Sequence, residues 1–119
     1  MDGQEFEGFM GDLLQRMGYE VEVVGQTGDH GIDLLGKKGS DRIAVQCKRW
    51  SGAVGESIIR DFYGSMIHAG AVSGYIFTTG YFSTSAFKFS EGKPIKLIDL
   101  DALPSPNLPS ARRLVWYRP

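Results

Sequence analysis

The sequence predicts an α/β domain built on one mixed sheet, and three observations predict it. Apolar-rich segments at 32–35 and 43–50 flank the polar stretch Lys37-Lys38-Gly39-Ser40-Asp41, a pattern that folds back into an antiparallel pair. A segment of helical periodicity separates the second of these strands from the strand at Tyr75, and a helix between two strands marks a parallel crossover. Gly74-Tyr75-Ile76-Phe77-Thr78-Thr79 is a short apolar run of the kind that forms a buried central strand.

The elements follow in the order αβββαβαβ. Phe6, Phe9, Met10, Leu13, Leu14 and Met17 recur at helical spacing over residues 5–17, and Gly18 supplies a C-terminal stop. Glu20-Val21-Glu22-Val23-Val24 alternates as a half-exposed strand does, and the glycine-rich segment 25–31 is a loop. The two hairpin strands come next. Val54, Ile58, Ile59, Phe62, Met66 and Ile67 then mark a second amphipathic helix, closed near Gly70. After the central strand, Ser83 or Ser85 caps a short third helix through Phe89, and residues 94–100 read as a last strand. Prolines at 104, 106 and 109 break regular structure, so the chain divides into one domain over residues 1–103 and a C-terminal extension over 104–119. Leu114, Val115, Trp116 and Tyr117 in that extension suit either an edge strand or a contact with another chain.

A chain of 119 residues, 42% of them hydrophobic, is large enough to bury one core without disulfide staples. Its single cysteine, Cys47, excludes an intramolecular disulfide framework and a cysteine-based zinc cluster, which suits a cytoplasmic setting. The N-terminus is acidic, and no apolar run approaches the roughly 18 residues of a membrane span, so neither export nor membrane insertion is expected. The net charge of −1 lacks the basic excess usual in nucleic-acid-binding domains. The cations are nevertheless grouped: Lys37, Lys38 and Arg42; Lys48 and Arg49; Lys88, Lys93 and Lys96; Arg112, Arg113 and Arg118. Acids that hold a metal would offset such groups in the sum.

The chemistry-bearing residues lie on the hairpin. Side chains alternate along a strand, so Ile43, Val45 and Cys47 point one way while Ala44, Gln46 and Lys48 point the other. Folding back the preceding strand brings Asp33 alongside Gln46 and Lys48. Phosphodiester hydrolysis needs an ion to polarise the phosphate, an activated water and a positive charge near the developing negative charge. Asp33 offers hard oxygen for Mg²⁺, Gln46 adds its amide oxygen and the backbone carbonyl of Cys47 is a further ligand. Lys48 holds the attacking water or helps to deprotonate it. Plainer readings stand beside these: a turn residue at a strand end for Asp33, and a solvated strand cation for Lys48.

Phe6-Glu7, Gly18-Tyr19-Glu20-Val21, Gly28-Asp29-His30-Gly31-Ile32-Asp33, Val45-Gln46-Cys47-Lys48-Arg49-Trp50, and Thr78-Thr79 with Phe82-Ser83 together resemble the catalytic domain of Mrr-type restriction endonucleases. That family belongs to the PD-(D/E)xK nuclease superfamily. The likeness runs from about Met1 to Leu103 and implies a restriction-endonuclease-like αβββαβ core, a mixed sheet flanked by helices. It also implies a catalytic set of Glu7, Asp33, Gln46 and Lys48, with Mg²⁺ as cofactor and Mn²⁺ as a substitute. Gln46 stands where the wider superfamily carries an acid, which removes one negative charge from the metal site; Glu7 compensates. Members of the family act in restriction of foreign, often methylated, DNA and couple the nuclease to a separate recognition domain or subunit. No such reader is recognised in these residues. Cutting both strands of a duplex calls for two sites, hence a homodimer.

Glu7 lies about 100° around the helix from Phe6, at the border of the apolar stripe; a helix N-terminal acid stabilised by the macrodipole is its structural reading. Asp29 suits loop-turn chemistry, and His30 in the same loop is left out of the catalytic set. Arg49, Arg60 and Ser83 are the DNA-contact candidates, with salt bridging by Arg60 and N-capping by Ser83 as their structural counterparts. Cys47 reads as a small buried hydrophobe rather than a nucleophile paired with His68. Two other functions fit the same residues: a Holliday-junction resolvase, disfavoured by Gln46 and by the low net charge, and a nuclease-like module that binds without hydrolysis, disfavoured by the intact Asp33, Gln46 and Lys48 set.

Overall fold

The computed structural model describes residues 3–24, 31–48 and 51–100. Helix α1 spans Gly3–Arg16 and buries Met10, Leu13 and Leu14, the stripe expected from their spacing. Gly18 ends it at φ +95°, with Tyr19 N donating to Leu14 O and Gly18 N to Gln15 O, a Schellman closure that needs a residue free to adopt positive φ. Strands β1 (Glu20–Val23), β2 (Leu34–Lys38) and β3 (Asp41–Lys48) form an antiparallel meander. Lys38 pairs with Asp41, so Gly39 and Ser40 alone make the turn. The expected five-residue polar turn is thus too long, because a glycine at φ +63° lets the ladder continue through both lysines.

The chain continues through β4 (Ala53–Val54), α2 (Glu56–His68), β5 (Ser73–Thr78), β6 (Tyr81–Phe82), α3 (Thr84–Ser90) and β7 (Ile95–Asp99). The main sheet has the order β1-β2-β3-β5-β7, with β5 parallel to both β3 and β7. The expected crossover and mixed sheet are therefore present. Strands β4 and β6 pair separately as a small parallel ribbon that the sequence pattern did not reveal, since two residues carry no periodicity.

Helix α1 covers one face of the sheet, where Met10, Leu13 and Leu14 pack with Leu34, Ile43, Val45, Tyr75, Phe77 and Ile98. Helices α2 and α3 cover the other, where Ile59, Phe62, Met66 and Ala86 pack with Ala44, Ile76 and Ile95. Gly74 permits this second contact: a Cβ there would stand 2.5 Å from the Phe62 ring and 2.8 Å from Met66 Sδ. No described helix is long and apolar enough to cross a membrane. Trp50 and residues 101–119, including the proline-marked extension, lie outside the described residues.

Candidate active site

Three strand ends converge at one edge of the sheet. In the parallel register Gln46 stands beside Ile76 and Lys48 beside Thr78, so the carboxyl ends of β3 and β5 finish together. Pockets of parallel sheets form at such ends. Gln46 occupies the α2 side, as the alternation predicts: its Nε2 and the Phe62 backbone lie 3.3–3.6 Å from where a Gly31 Cβ would be. Gly31 itself holds φ +85°, a conformation suited to glycine in that confined place.

Asp33 is not inside the strand expected for it. It sits at a bend just before β2, and its N–H donates to Val45 O, the residue already opposite Leu34. Two residues facing one is the geometry of a β-bulge. The extra residue breaks the alternation, which is why Ile32 packs on the α2 side while Leu34 packs against α1. It also turns the Asp33 carboxylate along the sheet edge, where Oδ2 accepts the Cys47 N–H at 2.8 Å. Side chain thus replaces backbone in the last rung, and the acid is held one residue from Gln46.

Gln46 is 3% exposed, and among the described residues its Oε1 has no hydrogen-bond partner. A buried amide oxygen left unbonded costs free energy, about 1–3 kcal/mol. Glu7 on α1 is the second acid of this edge. Burial first, and then the negative charge of Asp33, raise its carboxyl above the ordinary value. Two carboxylates that repel each other, at the strand end that carries a buried oxygen with no donor among the described residues, form a place suited to a cation. The oxygen-only set of Glu7, Asp33, Gln46 Oε1 and the Cys47 carbonyl suits a hard ion such as Mg²⁺ or Mn²⁺. Among the described residues no three acidic, histidine or cysteine side chains cluster.

Lys48 is half-buried at the end of β3, and its carbonyl accepts from Thr78 Oγ1 at 2.8 Å and from Thr79 N at 3.2 Å. Thr78 is fully buried and also accepts from Gly80 N at 3.0 Å, tying the Lys48 strand end to the start of the ribbon. In the sequence Thr78 stands out only as part of the Thr78-Thr79 motif. A hydroxyl closing an otherwise apolar central strand was the available signal.

Two of the three DNA-contact candidates, Arg60 and Ser83, lie among the described residues and have local partners. Arg60 pairs with Glu56 at 2.6 Å and lies 4.8 Å over the Phe89 ring, the salt-bridging alternative. Ser83 caps α3, its Oγ accepting from Ala86 N at 3.1 Å. Arg49, Asp29 and His30 lie outside the described residues. Cys47 packs against the α1 core, as its strand face predicts.

The mixed sheet, its flanking helices and the acid, amide and amine at its carboxyl edge define a restriction-endonuclease-like domain. The chain belongs to the Mrr catalytic-domain family, described as restriction endonuclease, whose family model matches residues 1–105. It is 37% identical over 94 residues to the type IV methyl-directed restriction enzyme EcoKMrr of Escherichia coli K12. That match covers 72% of this chain and 31% of the relative, so the chain spans about a third of that enzyme's length. Three solved structures share the fold at 21% identity. A protein of unknown function, AF1548, aligns with TM-score 0.61 over 82% of this chain and 58% of its own. The DNA modification-dependent restriction endonuclease AspBHI aligns at 0.59 over 80% and 28%, and MspJI in complex with a 27-mer oligonucleotide at 0.54 over 82% and 26%.

Proposed function

We propose that this chain is the nuclease unit of a restriction system, hydrolysing phosphodiester bonds of foreign or methylated DNA in the cytoplasm with Mg²⁺, for which Mn²⁺ substitutes. The observation that carries the reading is the buried Gln46 oxygen, without a partner among the described residues, one residue from the Asp33-bonded Cys47 amide and two from Lys48. Asp33, Gln46, the Cys47 carbonyl and Glu7 would hold the cation, which when bound would supply positive charge to polarise the phosphate and acidify a water. The Lys48 ammonium orients the attacking water and offsets negative charge building on the phosphate during in-line attack. Asp33 is fixed by the Cys47 amide, so its free lone pairs keep their aim with little reorganisation.

Residues 1–103 form the catalytic unit and 104–119 an extension. Base or modification recognition belongs to a separate domain or subunit, and a homodimer supplies the second site for the opposite strand. The test is cleavage of methylated and unmethylated supercoiled plasmid with Mg²⁺, Mn²⁺ or EDTA. Nicking or linearisation that needs metal and falls by about 10³-fold or more in Asp33→Ala and Lys48→Ala is the expected result, the scale of losing a charge-stabilising group. Cleavage that persists in EDTA or in both variants overturns the assignment.

A further inference from the structure

The ribbon of β4 and β6 is the natural continuation of β3 and β5 beyond the catalytic edge. Thr79 N bonds Lys48 O, Tyr81 N bonds Gly52 O and Ser83 N bonds Val54 O, so bonds between the two segments recur at Lys48, Gly52 and Val54. The Thr78 hydroxyl, bonded to both Lys48 O and Gly80 N, makes the base of the ribbon and the end of the Lys48 strand one unit. On β6 the two side chains take opposite faces. Phe82 is buried, meets the Phe87 ring edge-on at 5.7 Å and packs with the α2 and α3 core. Tyr81, paired with exposed Ala53, points to the ribbon's other face and is 55% exposed. An aromatic ring held on a hydrogen-bonded strand has already lost its backbone freedom, so packing on it costs a partner little further ordering.

We propose that Tyr81 is a substrate-contact residue whose ring packs on the DNA beside the scissile phosphate; this rests on the nuclease reading above. DNA is the occupant because the ribbon leaves the very strand ends that carry Gln46 and Lys48. Tyr81 stands three positions beyond Thr78, so their Cα atoms lie within about 11 Å. The major groove alone is roughly 12 Å wide, so a duplex seated on the catalytic edge is broad enough to extend over the ribbon as well. The other large apolar side chains exposed at the end of α2 and just after it, Ile67 and Val72, lie at the opposite end of the sheet and serve as a built-in contrast.

The experiment compares wild type, Tyr81→Ala, Tyr81→Phe and Ile67→Ala. It measures anisotropy of a fluorescein-labelled duplex in Ca²⁺, kcat and KM in Mg²⁺, and sedimentation without DNA. The expected result is a Kd and KM raised about 10-fold in Tyr81→Ala with kcat nearly unchanged, the scale of one lost aromatic contact to a nucleotide. Tyr81→Phe and Ile67→Ala should match wild type. Equal losses in Tyr81→Ala and Tyr81→Phe would assign the contact to the hydroxyl and overturn ring packing. A change of oligomeric state in Tyr81→Ala would assign the ring to an interface between copies, and also overturn it. Wild-type cleavage with Tyr81→Ala unaffected sinks the ribbon contact alone; a wild type that neither binds nor cuts DNA sinks the nuclease reading with it.

Discussion

The two ends of the sheet treat their polar groups in opposite ways. At the end far from the catalytic edge, two cations close loose backbone carbonyls. Lys38 Nζ donates to Met17 O at 3.0 Å just past α1 and lies over the Tyr19 ring, and Arg42 Nη1 donates to Ala69 O at 2.9 Å where α2 stops. Helix C-termini leave such carbonyls without intrahelical donors, so these contacts complete the fold. At the catalytic edge the groups stay incomplete. A buried amide oxygen has no partner among the described residues, burial and the charge of Asp33 raise the Glu7 carboxyl above its ordinary value, and a bulge interrupts the ladder. Local rules are satisfied at one end and broken at the other, which is how a folded domain spends stability on a site.

The sharpest way to break this comparison is Gln46→Met, a swap of similar volume. If the amide oxygen serves a ligand rather than the fold, the variant should be more stable by about 1 kcal/mol without metal, since an unpaired polar atom is gone. Cleavage should fall about 100-fold or more, the cost of losing one preorganised polar group. Urea denaturation in EDTA and plasmid cleavage in Mg²⁺ provide both numbers. A variant that is less stable yet fully active would place Gln46 with the structural residues of the other end.

Arg42→Met tests the opposite end. It removes the donor from the Ala69 carbonyl while keeping an aliphatic stem, so stability should fall by about 0.5–1.5 kcal/mol. The rate of cleavage should not change, because Arg42 pairs with Lys37 at the far end of the hairpin. Chemical denaturation and kcat, measured together, check the separation of the ends.

Much of this contrast was legible in the sequence, and what was not has a common cause. Period-two alternation correctly separated Ile43 and Val45 from Ala44 and Gln46, because face choice is local once a strand is known. Gly18 as a helix stop and Ser83 as a cap are local for the same reason. The bulge at Asp33 was not legible. It depends on which residue of β3 faces it, and its decisive bond, to Cys47 N, joins residues 14 apart. The ribbon escaped for want of length. Thr78 escaped because a buried hydroxyl reads as a small core residue until its two partners, Lys48 O and Gly80 N, are in place.

The smallest expected effect is at Glu7, and its sign is the most telling. Burial, then the charge of Asp33, raise the folded-state pKa of Glu7 above its unfolded value. The stabilising contribution of its protonated form is complete below the unfolded pKa and is lost as pH rises through the folded one. Without metal, Glu7→Gln should therefore raise Tm at pH 7 by roughly 1–3 °C, a few tenths of a kcal/mol in a domain of this size, and the gain should vanish in acid. A divalent cation should reverse the order, because it stabilises the folded protein in proportion to its affinity and the variant lacks one carboxylate. For the same reason wild-type affinity should weaken on acidification at a higher pH than an ordinary carboxylate would give, and Glu7→Gln should flatten that dependence. Thermal melts in EDTA and in Mg²⁺ across pH check all three. If Glu7→Gln is the less stable protein at pH 7 in EDTA, Glu7 belongs with Lys38 and Arg42 as a group that completes the fold.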